Sequence, residues 1–197
     1  MSRVGHVIGN GDNAVMYKPS KGFKVTCNIP PFEVANVYTT CLVDFKMMKA
    51  MTEGSVYIPG EWTLGYRPKV WMQNNPAFHM KVAQQIKGFY LELPKYVANY
   101  TDFNCGHMAT HYTANHLQCE EIHMYGFDSI FDFNLRSCTD MYLNADRSLS
   151  NNNRLANNWR PVWGNLFNEF PNTEFIIHHE HSDIKIKLPK NVTVNTK

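Results

Sequence analysis

Gly9-Asn10-Gly11-Asp12-Asn13 follows a short apolar run at the amino terminus of the 197-residue chain. Glycine lets backbone N–H groups approach a phosphate with no Cβ in the way. Asn and Asp side chains can hydrogen-bond ribose hydroxyls and base edges. Asn28, Asp44 and Gly126-Phe127-Asp128 each close a further β-favouring run, and Asn104-Cys105-Gly106 opens a helix-compatible one. A helix start carries unpaired N–H groups and the positive end of a dipole, so it can hold an anion. Gly9, Asn10, Gly11, Asp12, Asn13, Asn28, Asp44, Asn104, Cys105, Gly106, Gly126, Phe127 and Asp128 are therefore the candidate nucleotide-binding residues. The competing readings are an ordinary tight turn at Gly9 to Gly11 and a helix cap at Asn104. Neither GxxxxGK[ST] nor a dinucleotide fingerprint is present, because GNGDNA lacks its third glycine in register.

For the chemistry itself the candidates are His107, beside the helix start, as acid or base, and Arg136, which could neutralise charge on a departing phosphate. Arg147 could act like Arg136, and Asp128 and Asp132 could pair as acid and base. His107 and His111 share a helix face at metal-competent spacing, but no HExxH glutamate accompanies them. His178-His179-Glu180-His181 is the densest imidazole cluster. Strand alternation sends His178 and His179 to opposite faces, so a joint metal site there needs a sharp turn. No metal ligand is assigned.

These residues need elements to position them. Val4 to Ile8, Phe23 to Cys27, Val37 to Val43, Ser55 to Pro59, Phe89 to Leu93, Glu121 to Tyr125 and Phe175 to Ile177 read as strands. Helices are expected over Phe45 to Met51, Phe78 to Ile86, His107 to Leu117 and Asn152 to Phe170, the last weakened by Pro161 and Gly164. The tail after Asp183 either adds an edge strand or is loose. Strands alternating with helices imply a single α/β domain: a Rossmann-like, mostly parallel sheet flanked by helices, with ligands at the carboxyl ends of the strands. Residues 61–100 have no clean period and are set apart as a lid or insertion.

A formal charge of +2 without long basic runs argues against nucleic acid or an anionic bilayer as the partner. No apolar stretch approaches the ~20 residues that span a bilayer. Five widely spaced cysteines without a CxxC pair suggest reduced, buried thiols. A cytoplasmic protein without integral membrane contact is expected, and homo-oligomerisation is allowed for.

VIGNG near the start, VTCN closing the second strand, and NCGHMATHYTANHLQCEEIHMYGFD together resemble the bacterial sialyltransferases of glycosyltransferase family 42. More distantly, the amino-terminal strand and glycine turn resemble pterin diphosphokinase-like Rossmann domains. The likeness covers Arg3 to Asp44 and Phe103 to Phe133. It implies a GT-A-like fold, a CMP-sugar donor as substrate, an unidentified acceptor and no required cofactor. By the same resemblance Asn10 and Asn28 would lie near the phosphates or ribose, Asn104-Cys105-Gly106 would meet the donor, and Gly126-Phe127-Asp128 would contact the cytidine. Asp12 stands where the family has proline, Ile130 where it has tyrosine, and Arg147 to Asn153 holds no counterpart of its catalytic histidine. Two alternatives follow: a Mg²⁺-dependent diphosphokinase-like phosphotransferase using Asp12, Asp44 or Asp128, and a non-catalytic nucleotide-binding module.

Overall fold

The computed structural model describes residues 1–132, 153 and 155–197. Its strands are β1 Val4–Ile8, β2 Phe23–Cys27, β3 Val37–Leu42, β4 Trp62–Leu64, β5 Ile86–Phe89, β6 Glu121–Tyr125, β7 Glu174–His178 and β8 Val192–Asn195. The α-helices among the described residues are α1 Phe45–Thr52, α2 Tyr66–Asn74, α3 Pro76–Val82, α4 Cys105–Asn115 and α5 Arg160–Glu169. All eight described strands join one sheet in the order β5-β4-β3-β2-β1-β6-β7-β8, and every pairing among them is parallel.

Both faces of the sheet are apolar, which is why its central strands read as nearly continuous hydrophobic runs. Val7, Val25, Cys41, Ile122, Met124, Phe175 and Ile177 point into one core with Met108, Ala109 and Tyr112 of α4 and Trp163, Leu166 and Phe167 of α5. Their neighbours Leu42, Trp62 and Leu64 point the other way, into a core shared with Met47 and Met48 of α1, Met72 of α2 and Phe78 of α3. A third cluster, Ile8, Ala14, Tyr17 and Tyr125, lies beneath the turn that follows β1. The chain thus winds outward from β1 to β5 and returns through α4 to begin again at β6. The strand order reverses between β1 and β6.

Several elements differ from the sequence expectation. Ser55–Pro59 pairs with no strand, because the amides of Ser55 and Val56 donate to the Ala50 carbonyl at the end of α1 (2.9 and 3.4 Å). Trp62–Leu64 takes that place in the sheet. Pro68 reads as punctuation but lies in the first turn of α2, where proline is tolerated. The helix expected over Phe78 to Ile86 is α3 followed by a 3₁₀ turn at Ala83–Gln85, and the next strand begins earlier, at Ile86. Residues 61–100, set apart as a lid or insertion, supply β4 and β5 to the sheet. Pro161 likewise sits in the first turn of α5, which a π-helical turn at Leu155–Trp159 precedes. No described helix is long and apolar enough to cross a membrane.

Asn191 closes the outer end of the sheet. Its Nδ2 lies 3.0, 2.9 and 3.0 Å from the carbonyls of Phe167, Phe170 and Thr173, tying the end of α5 to the start of β8. Asn191→Ala leaves these carbonyls without that donor and is expected to cost about 2 kcal/mol. The urea midpoint measures it.

Candidate functional site

The glycine turn after β1 and the Gly126 turn after β6 are joined directly. Gly9 N–H donates to Tyr125 O (2.7 Å) and Gly11 N–H to Gly126 O (3.0 Å). A Cβ on Gly9 would stand 2.8 Å from Gly126 O, and one on Gly11 would stand 2.6 Å from the Asp128 carboxyl carbon. Gly126 itself has φ +77°, and its Cβ would lie 2.9 Å from that of Ala14. These glycines are needed because two loops touch. The phosphate-facing role expected of the Gly9 and Gly11 amides is corrected accordingly, since both N–H groups are already bonded within the protein.

The asparagines at the same edge hold neighbouring turns. Asn10 Nδ2 donates to Cys27 O and Ile29 O, both at 2.8 Å. Asn28, in the left-handed region at φ 52°, donates from Nδ2 to Asn10 Oδ1 (3.0 Å). Its own Oδ1 is buried with no hydrogen-bond partner among the described residues. Asp44 caps α1, accepting from Lys46 N–H (3.2 Å), while Asp12 is exposed at the start of a 3₁₀ turn.

At α4 the capping alternative accounts for Asn104 and His107. Asn104 Oδ1 accepts from His107 N–H (3.0 Å), and His107 Nδ1 accepts from Asn104 N–H (3.1 Å), a reciprocal capping box. With Nδ1 bare, the ring proton is on Nε2, which donates to Trp159 O (3.0 Å). Burial drives the imidazole pKa down to about 3. The expected acid–base role of His107 is thereby overturned: it is fully buried, neutral and bonded at both nitrogens. His111 does not join it as a metal pair, since its ring bonds Tyr90 Oη (2.6 Å) and Glu169 (3.0 Å). Cys105 Sγ donates to Cys41 O (3.0 Å), and a Cβ on Gly106 would stand 2.7 Å from the Phe127 ring. The two corners share one edge of the sheet, where Phe127 packs against Gly106 and Trp163. Arg136 and Arg147 lie outside the described residues.

At the carboxyl end of β7 the sequence shows the imidazole cluster, and a joint site there requires a sharp turn. The strand ends at His178, and the chain turns at once: His179 Nδ1 lies 3.1 Å from both the amide nitrogen and the carbonyl oxygen of His181. Period-two alternation no longer applies there. His179 is 1% exposed, with Nε2 3.9 Å from Asp128 Oδ1 and 4.0 Å from Asp132 Oδ2. His181 Nε2 lies 3.1 Å from Asp132 Oδ2. Asn13 joins this turn to β6, because Nδ2 donates to Asp128 Oδ1 (2.9 Å) and Oδ1 accepts from Glu180 N–H (3.0 Å). Burial pushes the Asp128 carboxyl up in pKa, and its hydrogen bonds from Asn13 oppose that. The HHEH run was the available signal.

On the opposite face His6, His123 and His178 stack in a row, with ring centroids 5.0 and 5.2 Å apart. Burial, then the neighbouring His123 and His6, bring His178 down to about 4.

Fold and edge together define an α/β protein with a Rossmann-like, all-parallel sheet and a polar cluster at its strand-order reversal. No protein-family model, curated protein or solved structure matches the chain.

Proposed function

We propose that this protein binds a nucleotide at the carboxyl edge of its sheet and acts as a glycosyltransferase-like enzyme on a nucleotide-sugar donor, with a CMP-sugar the favoured class. The observation that carries this reading is the strand-order reversal between β1 and β6. Doubly wound sheets take ligands at such a point, and here the Gly9–Asn13 and Gly126–Asp128 turns and the start of α4 lie along it. With the Gly9 and Gly11 amides used internally, the phosphate contact falls to the first turn of α4, around Cys105 and Gly106. Asn28 Oδ1, buried and without a hydrogen-bond partner among the described residues, is the acceptor that this reading gives to a ribose hydroxyl or a base amino group.

In the transfer, the acceptor oxygen bonds to the donor's anomeric carbon while that carbon's bond to the phosphate oxygen breaks. The nucleotide leaves with the electron pair, and a base takes the acceptor's proton. His107 cannot be that base, which favours a second reading, a non-catalytic nucleotide-binding module. The Mg²⁺ phosphotransferase has less support. Asp44 is a helix cap, Asp128 is held by Asn13, and with Asp12 they make no three-ligand cluster.

A thermal-shift panel of CMP, CDP, UDP, GDP, ATP and S-adenosylmethionine tests the proposal. A ligand at 100 times its Kd stabilises by roughly 2.7 kcal/mol, so CMP and CDP are expected to raise Tm by several degrees and the others less. Donor hydrolysis over hours that is lost in Asp128→Ala supports transfer; binding without turnover supports the module. No shift with any nucleotide sinks both.

A further inference from the structure

We propose that Asp132, His179 and His181 bind a late first-row divalent cation, zinc foremost, at the carboxyl end of β7. Among the described residues these three make the cluster of metal-competent side chains, and their ligand atoms all lie within 4.8 Å of one another.

The argument rests on His179. Its Nε2 is buried and has no hydrogen-bond partner among the described residues, yet it faces two carboxylates, Asp128 at 3.9 Å and Asp132 at 4.0 Å. Nδ1 lies 3.1 Å from the His181 carbonyl oxygen, the contact that metal-bound histidines use to fix their tautomer. In the tautomer that donates from Nδ1 to this carbonyl, in place of accepting from the His181 amide, the Nε2 lone pair points into the cluster. The Phe131 ring stacks on the imidazole at 3.7 Å and 8°, which holds its plane. Arg160 pins the opposite wall by donating from Nε to Ser129 O (2.8 Å) and from Nη2 to Asp132 O (3.1 Å).

Distances and donor types select the ion. Zinc held about 2.0–2.2 Å from each ligand separates those ligands by roughly 3–4 Å. His181 to Asp132 at 3.1 Å and His179 to Asp132 at 4.0 Å already bracket that range. His181 and Asp132 are partly exposed and can adjust. Two imidazoles with one carboxylate suit zinc, whereas magnesium and calcium take oxygen ligands. Three protein ligands leave a coordination position for water or an anion, as in catalytic sites and unlike closed structural ones.

The test uses the full chain stripped with EDTA, with no nucleotide present, so its outcome is independent of the nucleotide reading. Zinc and magnesium are titrated by calorimetry, and Co²⁺ replaces zinc for its visible absorption. One zinc per chain is expected, with magnesium at least about 100-fold weaker. Asp132→Asn and His181→Gln, chosen because these side chains are not fully buried, should each weaken zinc about tenfold or more while circular dichroism is unchanged. His123→Gln, in the imidazole row on the other face, should bind as wild type. The proposal is overturned if zinc does not bind stoichiometrically, if folded Asp132→Asn and His181→Gln keep wild-type affinity, or if the loss appears in His123→Gln instead.

Discussion

Gly126→Ala is expected to lower the free energy of unfolding by about 2–5 kcal/mol. A non-glycine residue in the left-handed region costs about 1–2 kcal/mol, and Gly126 has φ +77°. Overpacking adds about 1–3 kcal/mol, because the new methyl would meet Ala14 Cβ at 2.9 Å and the Gly9 carbonyl carbon at 3.1 Å. Two other glycines separate these costs. Gly54 has φ +79° with nothing within 4 Å of its added Cβ, so Gly54→Ala should show the backbone cost alone, about 1–2 kcal/mol. Gly164 lies within α5 with the same open space, and Gly164→Ala should stabilise by about 0.5–1 kcal/mol. Urea unfolding ranks all three. If Gly126→Ala costs no more than Gly54→Ala, the direct contact between the β1 and β6 turns is wrong.

Lowering the pH from 7.5 to 4.5 is expected to remove about 3 kcal/mol of stability through His107 alone. Its pKa falls from 6.5 to about 3 on folding because burial disfavours the imidazolium. The unfolded chain therefore takes up a proton that the folded chain refuses. Stability is complete above pH 6.5 and is lost progressively as the pH drops toward 3. His178, brought down to about 4, acts in the same direction. Asp128, whose carboxyl is pushed up, acts oppositely and offsets part of the loss. His107→Gln isolates the effect, since glutamine at this helix position can still complete a capping box but does not titrate. Its stability should fall less steeply between pH 7.5 and 4.5 than that of the wild type. Equal slopes would show that His107 is not the buried neutral cap described above.

The sequence made the centre of the sheet legible and its edge obscure, for a physical reason. β1, β2, β3 and β6 are buried on both faces, so VGHVI, FKVTC, VYTTCL and EIHMY stand out as apolar runs closed by glycine, asparagine or aspartate. β4 is three residues long, too short to display a period, and the nearby SVYIP run offered a stronger β signal that the end of α1 consumes. The tail after Asp183 reads as either an edge strand or a loose end, and Val192–Asn195 pairs with β7 at the margin of the sheet.

At the site, the identities of the turn residues were legible and their partners were not. A glycine reports that a side chain is excluded. It does not report whether a phosphate or a second loop excludes it, and for Gly9, Gly11 and Gly106 the excluding atoms belong to Gly126, Asp128 and Phe127. His107 was visible as a group beside a helix start, but its second contact, to Trp159, is 52 residues away in sequence. The imidazoles at 179 and 181 were visible too. What joins them is the turn directly after the last paired residue of β7, which a rule of alternating faces cannot anticipate.

The claim on which the functional account turns is that a nucleotide occupies the carboxyl edge where β1 meets β6. Amide hydrogen exchange of the full chain, with and without saturating CMP, tests it at the residues concerned. The account predicts slowed exchange in peptides covering residues 9–13, 104–107 and 126–128. Unchanged exchange in all three, or protection confined to segments away from this edge, would contradict it.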